Sequence, residues 1–186
     1  MSSRRAVFLD RDGVINRALV RDGVSVPPAT VDELEVLPGV SEACIALRDA
    51  GYVVVVVTNQ PDVARGTQRR ETVEAINAAL AERVRWDDLR VCYHDDEDHC
   101  ACRKPAPGML LAAAVDWQID MSSSYIVGDR WKDIAAGQEA GCSTILVGGS
   151  GTEAARVTPN FCAPNLAKAA TVILERAQST AHRSQG

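Results

Sequence analysis

Short apolar runs recur along the chain, and polar residues follow each of them. The first run is Ala6 to Leu9, and the strongest is Tyr52 to Val57, in which five valines follow one another without alternation. Uninterrupted β-branched residues are typical of a parallel strand that is buried on both faces. Similar runs cover 89–93, 124–127 and 144–147. The pattern predicts a sheet built mainly of parallel strands.

Apolar residues spaced three and four apart predict helices between these strands. The predicted helices cover about 40–50, 70–85, 109–117, 132–140 and 166–178. Strands that alternate with helices imply a Rossmann-like, open α/β sheet with helices on both faces. We expect Phe161 to Ala163 to add a short edge strand, and 14–38, which lacks sustained periodicity, to form a long loop.

The length, charge and apolar runs of the chain limit the number of its domains and the kinds of partner it can bind. Its 186 residues suit one domain, which we expect over 1–178, followed by a flexible tail at 179–186. The 20 basic and 25 acidic residues give a net charge of -5, and no basic run indicates a nucleic-acid partner. The longest apolar run is too short to span a bilayer. We therefore expect a cytoplasmic monomer that binds neither nucleic acid nor membrane.

Polar side chains follow three of the predicted strands. They are Asp10 and Asp12, Thr58 and Asn59, and Asp129 with Asp133 four residues on. Each pair alone could be a turn or a helix cap. The carboxyl ends of parallel strands, however, meet at one edge of a sheet, where ligands bind. The sequence therefore predicts a site at this edge, with Lys104 added from a separate loop.

Phosphoryl transfer needs the groups in this set. A carboxylate can attack phosphorus, a hard divalent cation neutralises the phosphate oxygens, and hydroxyl, amide and ammonium donors hold the remaining charge. Because Mg²⁺ prefers carboxylate oxygens, Asp10 and Asp129 are its candidate side-chain ligands. Asp12, two residues beyond Asp10, is placed to protonate the leaving oxygen and later to activate water.

These residues resemble the four motifs of the haloacid dehalogenase (HAD) superfamily of phosphatases. The matching motifs are Asp10-Arg11-Asp12-Gly13, Thr58-Asn59, Lys104 and Gly128-Asp129, and the resemblance covers residues 6 to about 148. It implies that Asp10 is the nucleophile and that Asp12 is the acid/base. It also implies that Thr58 and Lys104 hold the phosphate, and that Asp129 and the backbone carbonyl of Asp12 bind Mg²⁺.

Two points follow from the same resemblance. Asp133 is either an outer-sphere partner of Mg²⁺ or a helix residue. Caps in this superfamily are inserted after the nucleophile turn or between the second and third motifs, but 13–38 and 61–91 are too short for one. We therefore expect no separate cap domain and an open site.

Three thiols and an imidazole lie within eleven residues. They are Cys92, His94, Cys100 and Cys102. Four such ligands make a closed tetrahedral zinc site, whose function is structural because no position is open for water. His99 is a competing ligand, and the alternative is a set of unligated thiols. The remaining cysteines, Cys44, Cys142 and Cys162, are expected in the core.

The cysteine cluster and the Arg103-Lys104-Pro105 that follows it resemble the zinc loop of heptose bisphosphate and histidinol-phosphate phosphatases. This resemblance places a zinc loop at 92–104. It implies removal of the 7-phosphate of a heptose 1,7-bisphosphate, with histidinol phosphate or another sugar phosphate as the alternative. Two stretches depart from the heptose enzymes: Pro61-Asp62 stands in place of Ser-Gly, and no Asp-His-Gly-Tyr-like stretch follows Asn16.

A sugar bisphosphate needs partners for its polar groups and for its second phosphate. The residues expected to bind such a substrate are Asn16, Asn59, Arg103, Lys104 and Arg130. Arginine can bind phosphate through two parallel hydrogen bonds, which suits Arg103 and Arg130 to this task.

Two other functions use similar residues. A phosphoaspartate receiver domain also combines aspartates, a threonine, a lysine and Mg²⁺, but its phosphorylated aspartate ends a later strand. A zinc-stabilised interaction module with a decayed site is disfavoured because no motif residue is missing. Turnover of phosphate separates the enzyme from both alternatives.

Overall fold

The computed structural model describes residues 3–148 and 156–183. The strands are β1 (Arg5–Leu9), β2 (Leu19–Arg21), β3 (Val24–Val26), β4 (Tyr52–Asn59), β5 (Asp88–Cys92), β6 (Tyr125–Gly128), β7 (Ser143–Val147) and β8 (Phe161–Ala163). The α-helices are α1 (Val40–Asp49), α2 (Arg70–Ala81), α3 (Gly108–Trp117), α4 (Trp131–Ala140) and α5 (Leu166–Arg183). Short 3₁₀ helices cover Val31–Glu33, Asp96–Asp98 and Met121–Ser123.

Six of these strands form one parallel sheet in the order β5-β4-β1-β6-β7-β8. The predicted edge strand at 161–163 is confirmed as β8. In the centre, Leu9 of β1 is level with Val56 of β4 and with Val127 of β6. The residues that follow these three positions therefore emerge at the same edge, which brings the predicted motifs together.

Helices cover both faces of the sheet, as predicted. On one face, Leu9 and Val56 pack in a cluster with residues of α1, α2 and α5. On the other face, Phe8 and Val55 pack in a cluster with residues of α3 and α4. Successive side chains of a strand point to opposite faces, so the unbroken apolar runs supply both clusters. Two buried layers hold β1 and β4 rigidly beneath the site.

The segment 14–38 is not an unbroken loop, which corrects the prediction. β2 and β3 pair antiparallel from Leu19 to Val26 across a turn at Asp22 and Gly23. Both turn residues have positive φ, 51° and 76°, which is the backbone of the tight turn that Asp-Gly favours. The Asp-Gly pair was the available signal, but strands of three residues leave too little alternation to detect.

The helix ends differ from prediction in two places. α2 ends at Ala81 rather than near residue 85, and α5 continues past 178 to Arg183. Residues 179–183 of the predicted tail are therefore helical, while 184–186 lie outside the described residues. Among the helices described, we find none with the length and apolarity needed to cross a membrane.

Candidate active site

Lys104 links two acidic side chains beneath the edge of the sheet. Its Nζ donates to Oδ1 of Asp10 over 2.8 Å and to the carbonyl of Val57 over 2.8 Å. The same atom lies 2.5 Å from Oδ1 of Asp133. Burial alone would lower the pKa of Lys104, but Asp10 and Asp133 outweigh that effect and raise it above its ordinary value. Lys104 is therefore a permanent cation beside Asp10.

Asp10 and Asp129 lie in a strongly acidic and buried environment. Burial raises the pKa of Asp10 to about 6, although the Lys104 cation opposes the shift. Burial, followed by repulsion from Asp10 and Asp133, raises the pKa of Asp129 to about 8. Carboxylate oxygens of these three aspartates lie within 4.8 Å of one another. Such a group is a candidate site for a divalent cation.

Asp129 also carries an unused ligand atom. Its Oδ1 is buried and has no hydrogen-bond partner among the described residues. The turn after β1 leaves room for this carboxylate, because Gly13 has a φ of 94° and a Cβ there would lie 2.2 Å from Oδ2 of Asp129. A buried carboxylate oxygen without a donor fits a metal ligand, so these residues fit Mg²⁺.

Asp133 is a helix residue whose two oxygens are already bonded. It lies in the first turn of α4, where Oδ2 accepts a hydrogen bond from the backbone N–H of Arg130 over 3.1 Å. Its other oxygen contacts Lys104. The close approach of α4 requires Gly128, because a Cβ there would lie 2.1 Å from Cβ of Asp133. Asp133 therefore fixes Lys104 and the start of α4.

The carboxylate of Asp12 is held from several sides. Asn16 donates to its Oδ1 over 2.9 Å and Gln60 donates to its Oδ2 over 2.8 Å. Arg11 adds donors of its own, at 3.0 to 3.3 Å. Sequence reasoning gave no role to Arg11 or Gln60, although Arg11 lies inside the Asp10-Arg11-Asp12-Gly13 motif and Gln60 directly follows Asn59, because an arginine or glutamine after a strand does not by itself indicate its partner. Their side chains are nevertheless almost completely buried.

The polar end of β4 contributes Thr58 and Asn59. Gln60 donates to the hydroxyl oxygen of Thr58 over 2.9 Å. The amide of Asn59 donates to the carbonyl of Lys104 over 2.9 Å and accepts from its backbone N–H over 3.1 Å. Both ends of this amide are therefore used to position the Lys104 backbone.

A cavity of about 920 Å³ opens above these residues. Nine of the predicted site residues line it, namely Asp10, Asp12, Thr58, Asn59, Arg103, Lys104, Asp129, Arg130 and Asp133. The turn between β2 and β3 lines it too, so the hairpin forms one wall. Asn16, which we expected to bind the substrate, is instead completely buried and is not among the lining residues described. Its side-chain amide donates to the Asp12 carboxylate instead.

The two predicted arginines have partners within the protein. Arg103 is 9% exposed, and its Nε donates to Asp96 over 2.8 Å. Arg130 donates to the carbonyl of Ser25 in β3 over 3.2 Å. Asp96, whose pKa falls to about 2 beside Arg103, also lies 3.4 Å from Lys132. Asp96 thus neutralises much of the positive charge on this side of the cavity.

The four predicted zinc ligands come together in one cluster. Sγ of Cys102 lies 3.3 Å from that of Cys92 and 3.4 Å from that of Cys100, and Nδ1 of His94 lies 3.2 Å from Sγ of Cys102. Zn–S bonds of about 2.3 Å at tetrahedral angles separate sulfur atoms by about 3.8 Å, and Sγ of Cys92 lies 3.7 Å from that of Cys100. The donor set therefore fits one zinc ion, and the cluster contains His94 rather than His99.

The other cysteines are not all in the core. Cys44 and Cys142 are buried as expected, but Cys162 is exposed. Its neighbours in β8, Phe161 and Ala163, pack against the core cluster, so the side chain of Cys162 points to the opposite face of the strand.

Comparison with known proteins identifies related sequences. A family model described as HAD-hydrolase-like matches residues 101–169. The D-glycero-β-D-manno-heptose-1,7-bisphosphate 7-phosphatase of Pseudomonas aeruginosa is 39% identical over 150 residues, which are 78% of this chain and 82% of that protein. The enzyme of the same name from Rhodopseudomonas palustris is 38% identical over 150 residues, covering 74% of this chain and 80% of that protein.

A solved structure shares both the fold and much of the sequence. It is the D,D-heptose 1,7-bisphosphate phosphatase of B. bronchiseptica complexed with magnesium and phosphate. It matches with a TM-score of 0.80 and 34% identity, over 92% of this chain and 99% of that one. Sequence identity over most of both lengths, together with the same fold, shows that this chain belongs to the heptose-1,7-bisphosphate 7-phosphatase family of HAD-like hydrolases.

Proposed function

We propose that the protein is a Mg²⁺-dependent phosphatase that removes the 7-phosphate of D-glycero-D-manno-heptose 1,7-bisphosphate. One observation carries this proposal. The buried Asp10 lies at the end of the central strand, paired with Lys104 and close to Asp129, whose Oδ1 has no partner among the described residues. An anionic nucleophile, a fixed cation and a metal site are the requirements of phosphoryl transfer.

In the proposed reaction, Asp10 attacks phosphorus and forms an aspartyl phosphate while the bond to the sugar oxygen breaks. Asp12 gives its proton to that oxygen. Water then attacks the phosphorus and passes a proton to Asp12, which regenerates the Asp10 carboxylate and releases phosphate. Lys104 stabilises charge on the phosphoryl oxygens, and Thr58 offers them a hydroxyl donor.

Asp10, Asp129 and the backbone carbonyl of Asp12 would hold Mg²⁺, with Asp133 behind them. The ion supplies charge neutralisation for the phosphate oxygens. Because repulsion among the aspartates contributes to the raised pKa of Asp129, a divalent cation would also relieve this repulsion. Asp133 contributes through Lys104 and the α4 backbone, since its own oxygens are occupied.

We also propose that Cys92, His94, Cys100 and Cys102 bind a structural zinc ion. The distances between their ligand atoms and the chemistry of three thiols and one imidazole support this. Lys104 follows Cys102 by two residues, so zinc would hold the loop at 92–104 that places Lys104 in the site. Such a fixed loop suits catalysis, which needs preorganised charge.

The substrate would occupy the cavity above Asp10. Arg103 and Arg130 line it, and each has donors suited to a hydroxyl or to a second phosphate. Asn59 would act mainly through Lys104, to which both ends of its amide are bonded. Asn16 would act through Asp12 rather than by contact with substrate.

Three further expectations remain proposals. We propose one domain, which extends past the expected boundary of 1–178 to the end of α5 at Arg183, and which works as a monomer in the cytoplasm. All six cysteines are free thiols, and a zinc–thiolate cluster suits a reducing compartment. Size-exclusion chromatography with light scattering tests the oligomeric state.

A substrate panel tests the function. The enzyme with Mg²⁺ is supplied with the α and β anomers of heptose 1,7-bisphosphate, hexose bisphosphates and histidinol phosphate, and phosphate release is measured as kcat/KM. We expect a heptose bisphosphate to lead the panel. A tenfold preference for histidinol phosphate, about 1.4 kcal/mol in transition-state binding, would overturn the substrate and leave the phosphatase chemistry standing. No turnover of any member would favour the receiver-like switch.

A further inference from the structure

Arg11 is a buried arginine that the reaction described above does not use. Its side chain is 1% exposed and lies in the turn between Asp10 and Asp12. Its Nη2 donates to both oxygens of Asp12, at 3.1 Å and 3.0 Å, and its Nε donates to Oδ1 over 3.3 Å. Arginine is rarely buried unless it is paired, and here the pair is with the neighbouring aspartate.

The guanidinium of Arg11 is itself held by Asn77. Nη1 of Arg11 donates to Oδ1 of Asn77 over 2.7 Å. Asn77 is a buried polar residue on the face of α2 that otherwise packs Val73, Ile76 and Leu80 into the protein. The helix pattern predicts an apolar residue at this position, and the contact with Arg11 explains why an asparagine is there instead.

The donors from Arg11, Asn16 and Gln60 therefore surround the Asp12 carboxylate. Arg11 and Asn16 belong to the turn after β1, and Gln60 follows β4, 48 residues beyond Asp12 in the chain. Asp12 keeps 14% of its side-chain surface exposed and lines the same cavity as Asp10. The network fixes the carboxylate without removing it from the cavity.

We propose that Arg11 is a positioning residue for Asp12, and that Asn77 acts in turn by fixing Arg11. This inference rests on the proposed role of Asp12 as acid and base. Arg11 makes no bond in the reaction. It holds Asp12 in the one orientation in which the carboxyl can give its proton to the leaving oxygen and then take a proton from the attacking water.

The nature of the leaving group allows a specific test. 4-Nitrophenolate leaves without a proton, so formation of the aspartyl phosphate from 4-nitrophenyl phosphate needs little help from Asp12. Hydrolysis of that intermediate still needs Asp12 to activate water. When Asp12 is mispositioned, nitrophenol should therefore be released in a burst of about one equivalent per active site, followed by slow turnover.

The experiment measures this burst by stopped flow in the zinc-replete, full-length enzyme with Mg²⁺. The variants are Arg11→Met and Asn77→Ala, with Asp12→Asn as reference. We expect the ratio of burst rate to steady-state rate to rise at least tenfold above the wild type in Arg11→Met, and by a smaller factor in Asn77→Ala. For a sugar phosphate, which needs protonation, kcat should fall by at least tenfold in Arg11→Met.

Two matched variants separate positioning from general damage. Val73→Ala removes buried contact from the same face of α2, and Arg70→Met removes an exposed arginine from the same helix. Neither should raise the ratio of burst to steady-state rate. If Arg11→Met does not fold, Asn77→Ala decides the question, because it removes the acceptor that fixes Arg11 and keeps the buried guanidinium beside Asp12 as a counter-charge.

A double variant completes the test. If Arg11 acts only through Asp12, the variant with both Arg11→Met and Asp12→Asn should turn over no more than about twofold slower than Asp12→Asn alone. Two results would overturn the inference and leave the proposed function intact. One is a turnover of the double variant that falls by the product of the two single losses. The other is an unchanged burst ratio in Arg11→Met and Asn77→Ala while Asp12→Asn shows the burst. Absence of the burst in Asp12→Asn rejects the acid/base role itself, and this inference with it.

Discussion

Lys104 donates a hydrogen bond of 2.8 Å to Asp10, although 94 residues separate the two in the sequence. The contact sets the charge of the proposed nucleophile. Burial raises the pKa of Asp10, and the ammonium group of Lys104 is the largest influence that opposes the rise. A buried carboxylate can attack phosphorus only in its ionised form, so Lys104 supports catalysis before any substrate binds.

Lys104→Met should therefore impair both steps of the reaction. The change removes a cation beside the phosphoryl oxygens, and loss of one such donor typically costs about 10² to 10³ in kcat. It should also lower the melting temperature of the metal-free protein, because two buried carboxylates, Asp10 and Asp133, lose their paired cation. Lys168→Met, an exposed change on α5, is the control. Equal phosphate release by both variants would contradict the role given to Lys104.

Asp10→Asn should abolish phosphate release and leave the fold unchanged. An amide of the same shape cannot attack phosphorus, while the packing around β1 stays the same. Circular dichroism checks the fold, and malachite green detection of phosphate checks turnover. Trapping of a phosphorylated enzyme with labelled 4-nitrophenyl phosphate, whose leaving group needs no proton, should succeed for Asp12→Asn and fail for Asp10→Asn. Turnover near the wild-type rate in Asp10→Asn would reject Asp10 as the nucleophile.

The stability of the protein without Mg²⁺ should fall as the pH rises from 6 to 8.5. Asp10 and Asp129 have pKa values of about 6 and about 8 in the folded protein, above the ordinary value of 3.8. The folded state therefore retains protons that the unfolded state has released, and the free energy of unfolding decreases through this window. Added Mg²⁺ binds the ionised carboxylates, so its stabilising effect should grow with pH.

Urea denaturation at a series of pH values, with and without Mg²⁺, checks this dependence. Asp129→Asn removes the group with the higher pKa, so the variant should show a flatter pH profile and a smaller Mg²⁺ effect than the wild type. A metal-free stability that stays flat or rises between pH 6 and 8.5 in the wild type would contradict the raised pKa values of the two aspartates.

Gly13→Ala should weaken Mg²⁺ binding more than its backbone strain alone predicts. A Cβ at Gly13 would overlap Oδ2 of Asp129, whereas one at Gly51 meets no atom within 4 Å among the described residues. Both glycines have positive φ, 94° and 85°, so each alanine costs about 1 to 2 kcal/mol in strain. Titration of activity with Mg²⁺ should show a raised half-saturation in Gly13→Ala and an unchanged one in Gly51→Ala.

One zinc ion per chain should be found by elemental analysis of protein purified without added metal. His94→Ala should lose it and His99→Ala should retain it, because only His94 lies in the cluster. Cys100→Ala should loosen the loop at 92–104, seen as faster amide exchange there, before the sheet is disturbed. Zinc that survives in His94→Ala and disappears in His99→Ala would reverse the assignment of the ligand.

The sequence predicted those parts of the site that short-range patterns encode. Asp10, Thr58 and Asp129 each follow an apolar run directly, so the strand order alone brings them to one edge. The contacts of Arg11 with Asn77 and of Arg103 with Asp96 were not predictable in this way. A polar residue on a helix face or in a charged loop has many possible partners, and only the packing of the elements selects one.

The hairpin formed by β2 and β3 shows the same limit at the level of the fold. Its strands of three residues bury little apolar surface, with Val20 and Val24 exposed, so no hydrophobic period marks them. The paired backbone and the Asp22-Gly23 turn hold it instead. Its position in the wall of the cavity involves distant parts of the chain, as in the hydrogen bond from Arg130 to the carbonyl of Ser25, and could not be read from 14–38 alone.

The two-residue distance between Cys102 and Lys104 has a practical consequence for inhibition by chelators. A chelator such as EDTA would remove Mg²⁺ quickly and the ion held by the Cys/His cluster slowly. If the cluster holds zinc as proposed, excess Mg²⁺ would reverse the first loss, whereas the second would release the loop that carries Lys104 and would need zinc for recovery. Inactivation should therefore occur in two phases. The activity lost in the slow phase would come from loss of the loop-stabilising ion, and should not be attributed to a second catalytic metal.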